Sequence, residues 1–189
     1  MDKRSIFSFG ALLQFALMLL LVPLRWVLAS ILAATIHELG HYAAVRLSGG
    51  TVRSFSIRAG SACMMTTELS VAKQILCLLA GPLAGMTLLL LSGQFPMTAI
   101  CALIQSLYNL LPVYPLDGGK LIRCICEHFG ITSQRMIRTE VLIVLALTGI
   151  FIYVTILLRT SVFLFPCVCI WLTRVLYSKR PCKAQGYWI

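Results

Sequence analysis

Acidic side chains are scarce in this chain: six Asp and Glu stand against 16 Lys and Arg in 189 residues. Charged residues of both signs make up 12%, where soluble globular domains hold about a quarter. A water-facing surface cannot be built from so few charges. The mean hydropathy of +0.92 agrees, so lipid is the expected solvent for much of the chain. Metal-knuckle cysteine pairs are missing too. None of the eight cysteines forms a C-x-x-C pair, and the C-x-C spacing of Cys124/Cys126 and Cys167/Cys169 suits a tetrahedral metal poorly. They read as small apolar residues. A disulfide framework is not expected, because most of them fall in apolar spans or on the predicted cytosolic side. No basic run interleaved with aromatics occurs, so the net charge of +10 does not read as nucleic-acid binding. No repeat, low-complexity tract or interdomain linker interrupts the sequence, which is expected to form one domain, 1–189.

What is present is a series of apolar runs. Crossing the hydrocarbon takes roughly 20 residues, and six stretches qualify: 6–22, 26–47, 71–91, 95–111, 141–158 and 161–176. If the N-terminus is cytosolic, Arg25 and Arg159 alone among the 16 basic residues fall outside. That bias matches the enrichment of Lys and Arg in cytosolic loops, and it predicts six spans with both termini in the cytosol of a cell-membrane protein. The competing reading of the first run is a signal peptide, but no small-x-small cleavage site is clear. The fold class is therefore an all-α polytopic membrane protein. Between the second and third spans, Phe55, Ile57 and Ala59 alternate with polar residues, and Ala62, Met64 and Thr66 resume the period of two. This pattern predicts a small membrane-associated β-hairpin; an irregular cytosolic loop is the alternative.

The second run contains His37-Glu38-Leu39-Gly40-His41. Histidines four apart project from one helix face and can grip one ion. Glu38 points about 100° away, so it reaches a metal-bound water without being a ligand. Shuffling this composition gives only about 0.0007 matches by chance, far fewer than for most short motifs. A lone histidine in an apolar helix reads as a hydrogen-bonded core residue. Two histidines and a glutamate within a membrane span read as function, because ionisable groups there are costly.

A zinc site needs a third protein ligand. Asp2 is terminal, and Glu68, Glu127, His128 and Glu140 fall in predicted loops or at span ends. Asp117 follows the fourth span in Asn109-Leu110-Leu111-Pro112-Val113-Tyr114-Pro115-Leu116-Asp117-Gly118-Gly119. The prolines stop the helix and the glycines permit tight turns beyond the carboxylate. The predicted topology brings Asp117 and His41 to similar depth on the cytosolic side. Asp-Gly-Gly by itself reads as a simple turn; alongside the histidine motif, the ligand reading is the better one.

Together these residues resemble the site-2 proteases, the intramembrane zinc metalloproteases. His37 to His41 looks like their H-E-x-G-H motif, and Asn109 to Gly119 looks like their N-x-x-P-x-x-P-L-D-G-G signature. The likeness covers about residues 26–123, the expected catalytic core. It implies one Zn2+ per chain on His37, His41 and Asp117, with Glu38 activating water and Asn109 holding the substrate backbone or oxyanion. It also implies that the hairpin offers an edge strand, Phe55, Ile57 and Ala59, to a transmembrane protein substrate. Ala80-Gly81-Pro82-Leu83-Ala84-Gly85 resembles a third-span G-P-x-x-N pattern, with Gly85 where Asn is usual. Close helix approach should accommodate that glycine. No PDZ or CBS domain is expected, which leaves regulation to a membrane partner, prior trimming of substrate or gating. The six-span layout looks most like the sporulation-type branch, whose members cleave membrane-associated pro-sigma factors. The rival readings are a membrane zinc transporter, which leaves Glu38 and the Asp117 motif unexplained, and a catalytically inactive scaffold, against which the intact Glu38 argues.

Overall fold

The structure is a computed structural model that describes residues 9–58, 61–114, 116–131, five separate positions between 142 and 149, and 187–188. The expected fifth and sixth spans, 141–158 and 161–176, lie outside the described residues apart from those separate helical positions. Met1–Leu111 with Gln185–Ile189 form one compact unit, and Pro112–Ala184 form a second.

In the first unit, helix α1 covers Phe9–Leu21. Pro23 then sets the start of α2, Leu24–Leu47. Its fixed φ of −54° suits a helix start, and its carbonyl accepts from the amides of Trp26 and Val27. The 24 residues of α2 give a length of about 36 Å. Ala29, Ala33, His37, His41 and Val45 are all buried on it. Their spacing of four draws one stripe along the helix, which packs against α3 and α4. The helix stops at Gly49, whose φ of +82° is open to glycine at little cost. The Gly49 and Gly50 amides donate back to the carbonyls of Arg46 and Val45, closing a Schellman turn. The Lys73 ammonium donates to the Ser48 carbonyl at 2.8 Å, placing a cation at the negative end of α2.

The period-two stretch forms the expected hairpin, β1 (Val52–Arg58) antiparallel to β2 (Ser61–Thr66), with a bulge between Val52 and Ser54. A third strand, β3 (Tyr187–Trp188), pairs antiparallel with β2 and was not expected, since two residues show no alternation. Helix α3 runs Val71–Thr87 and continues as a 3-10 turn, Leu88–Leu91. Val71–Leu91, with a mean hydropathy of 2.0, is the one helix among the described residues long and apolar enough to cross a membrane. Helix α2 is long enough but carries the polar motif. Helix α4, Pro96–Asn109, starts with proline in its first turn and is shorter than its expected span, 95–111, because Leu110 caps it ahead of Pro112. Large apolar side chains point outward on every one of these helices, among them Leu20, Leu28, Leu83 and Ile104.

Small residues let α2, α3 and α4 approach closely. A Cβ on Gly40 would sit 2.5 Å from Ala84 Cβ and 2.6 Å from the Ala80 carbonyl oxygen, so the backbones of α2 and α3 meet there. A Cβ on Gly85 would sit 2.5 Å from Ser106 Oγ on α4. Gly85 therefore lies at a close approach of α3 and α4.

In the second unit, α5 covers Asp117–His128 and ends on Gly130, φ +69°. Gly130 and Ile131 donate to the carbonyls of Glu127 and Cys126, the same turn that ends α2.

Candidate metal centre

The buried stripe of α2 carries both motif histidines inward, and each is 2% exposed. Their rings stand edge to face, 85° apart, with Nε2 to Nε2 at 3.2 Å. The imidazole of His41 is fixed from behind. Its Nδ1 lies 2.7 Å from the backbone carbonyl of Cys77 on α3, so Nδ1 carries the proton and donates. Nε2 of the neutral ring then holds a lone pair, the form in which histidine binds metal. On the other ring, Nδ2 of Asn109, the last residue of α4, lies 3.3 Å from His37 Nε2 and donates to it. Both Nε2 atoms therefore present lone pairs to one place. Two imidazole nitrogens 3.2 Å apart on one helix face are a donor pair whose chemistry fits a metal ion.

Glu38 is half-buried on the same helix, one residue past His37. Gly81 of α3 has a role that side-chain chemistry does not announce: a Cβ there would overlap the imidazole of His41. It follows Cys77 by one helical turn, so one stretch of α3 both receives the ring and accepts its proton.

In the second unit, Asp117 opens α5 and is buried. A carboxylate is favoured in the first turn of a helix, where the amide dipoles point at it. Lys120, one turn on, donates to Asp117 Oδ1 at 3.3 Å. The turn ahead of α5 is closed by the Leu116 amide donating to the Val113 carbonyl. Gly119 is required by this fold, because a Cβ would overlap the backbone of Val113 and Tyr114. The Arg123 guanidinium lies 4.0 Å over the Tyr114 ring and holds the turn against the helix.

Among the described residues, His37 and His41 form a buried pair of donors in the first unit, and Asp117 is a buried carboxylate in the second. Asn109 joins the histidine pair through His37. In the expected edge strand, Phe55 is 40% exposed and Ile57 is intermediate on β1, while Ala59 lies outside the described residues. The Cys77 carbonyl was missed by sequence reasoning, because a backbone acceptor has no sequence signature. Gly81 was within reach through its small-residue pattern.

Comparison with known proteins gives one informative likeness. No known family model matches the chain, and no curated protein matches it. Among solved structures, the chain is similar to the site-2 protease from Methanocaldococcus jannaschii. The TM-score is 0.69 at 17% identity, over 96% of this chain and 93% of that one. At that identity the likeness is one of fold.

Proposed function

We propose that this chain is an intramembrane zinc metalloprotease of the site-2 protease family, hydrolysing peptide bonds of transmembrane or membrane-associated proteins near the cytosolic face. The observation that carries this reading is the buried histidine pair on α2, its Nε2 atoms 3.2 Å apart, within an H-E-x-x-H motif. The shared fold supports it, and so does Asp117, a buried carboxylate in the second motif. The outward leucines and isoleucines of the helices fit a lipid surround.

His37, His41 and Asp117 would hold the ion, and two imidazoles with one carboxylate suit zinc with an open coordination position. When bound, such an ion supplies Lewis acidity, bringing the pKa of a water to about 7 and polarising the scissile carbonyl. Glu38, turned about 100° from His37, would be the carboxylate that holds the proton of the attacking water and gives it to the leaving amine. Asn109 now donates to the His37 lone pair. With a metal held there, the Asn109 amide would be available to donate to the substrate carbonyl oxygen as that oxygen gains charge. A helical substrate hides its carbonyls in its own hydrogen bonds, so it must unwind, and its freed backbone groups need partners. The outer edge of β1 can supply them by strand addition.

The test is zinc content and cleavage measured side by side. The purified protein in detergent should hold one zinc per chain and cleave at least one of a panel of transmembrane substrates. Glu38→Gln should keep the zinc and slow cleavage by about 10²–10⁴-fold. Bound zinc with no Glu38-dependent cleavage would favour transport or a scaffold instead, and zinc uptake into sealed vesicles separates those two.

A further inference from the structure

A two-stranded hairpin has two outer edges, each a row of unpaired backbone groups open to another strand. Here the sheet order is β1-β2-β3, so one of the hairpin's two edges is already taken at the last two residues of β2. The occupant comes from the far end of the sequence: Trp188 lies opposite Met65, and Tyr187 opposite Thr66. This pairing sits at the base of the hairpin, where Thr66 also faces Val52, the first residue of β1. The base is the packed part. Met64 and Thr66 are buried at 2% and 1% exposure, whereas Phe55 on β1 is 40% exposed. It is also the part tied to the two helices of the histidine site. Val52 follows the Gly49 turn that ends α2, and four residues separate Thr66 from α3, which supplies the Cys77 carbonyl to His41.

We infer that Tyr187–Trp188 is a strand cap, which closes the β2 edge at Met65 and Thr66 and so directs an incoming extended peptide to β1 at the base of the hairpin. The inference deepens the proposed function and rests on its edge-strand reading. A sheet with two open edges offers one unwound substrate two frames, and only one of them presents a given bond to a fixed site. Pairing of Tyr187–Trp188 with Met65 and Thr66 removes the second frame at the base of the hairpin, the end nearest α2 and α3. Because the cap belongs to the same chain, its pairing with β2 does not depend on protein concentration. The recognition is by main chain, so the cap acts through backbone groups at 187 and 188.

Proline at both positions removes the amides that pair with β2 while leaving the site untouched. Wild type and Tyr187→Pro/Trp188→Pro are compared as full chains in detergent by hydrogen exchange. In the variant, exchange at Met65 and Thr66 should rise about tenfold while the α3 amides stay as they were. A synthetic peptide of the sequence Gln185–Ile189 should restore that protection in the variant and change nothing in wild type. On a cleaved substrate, kcat and KM should fall together in the variant, the signature of non-productive binding on the second edge; a purely structural lesion would lower kcat without lowering KM. Altered exchange with no cleavage by either protein would sink the proteolytic reading and leave the cap supported. Unchanged exchange at Met65 and Thr66, or protection of β2 by the peptide in wild type, overturns the cap.

Discussion

At the scale of single residues, the site depends on which nitrogen of His41 carries the proton. The Cys77 carbonyl decides it by accepting from Nδ1, which leaves Nε2 for a ligand role. Gly81 keeps the ring in that place, since any Cβ there meets the imidazole. Gly81→Ala should therefore weaken zinc binding by about 10–100-fold, as loss of an orienting contact typically does, measured by competition with a chelator. Circular dichroism should show the helices intact. Asn109 makes the complementary case. Its amide supports His37 in this structure, and the proposed chemistry needs it only as charge develops on the substrate. Asn109→Ala should then retain zinc and lose about 10²–10³-fold in kcat, with KM little changed. Unequal loss of zinc in that variant would instead make Asn109 a support for the ligand.

At the scale of elements, the helices owe their ends and their closeness to particular glycines. Gly49 ends α2 eight residues after His41 with φ at +82°, a conformation that costs an L-residue roughly 1–2 kcal/mol. Gly49→Ala should destabilise the protein by about that amount in denaturant titrations in detergent. Gly93 has open space around its Cα. Gly93→Ala is the control, expected to stay within about 0.5 kcal/mol. The α3–α4 contact gives a sharper test. Ser106 Oγ is buried, has no hydrogen-bond partner among the described residues, and fills the space a side chain at Gly85 would need. Gly85→Ala should cost about 1–3 kcal/mol by overpacking. Ser106→Gly should recover most of that loss, because the two residues share one contact and their effects will not add.

At the scale of the whole molecule, metal binding and stability should be linked, since an ion that binds only the folded chain stabilises it by mass action. Zinc at 100 times its dissociation constant should add about 2.7 kcal/mol to unfolding, seen as a higher Tm. A chelator should remove the gain, and His37→Ala should show none of it. Membrane residence belongs to this scale as well. The described residues include one helix, Val71–Leu91, that can span a bilayer by length and composition, while α2 spends its apolar length on a buried polar motif.

Local spacing was legible from the sequence alone. Histidines four apart share a helix face by geometry, and the alternation at Phe55, Ile57 and Ala59, resumed at Ala62, Met64 and Thr66, pointed to the hairpin, which the β1–β2 pairing then decided over an irregular loop. The low charge content likewise limited the solvent before any fold was known. Packing decided the rest. The carbonyl that orients His41 comes from another helix and has no side-chain signature. The need for glycine at positions 40, 81 and 85 exists only once α2, α3 and α4 are pressed together. The strand at 187–188 pairs through main-chain groups that every residue except proline carries, so its partner β2 could be read only from the tertiary structure.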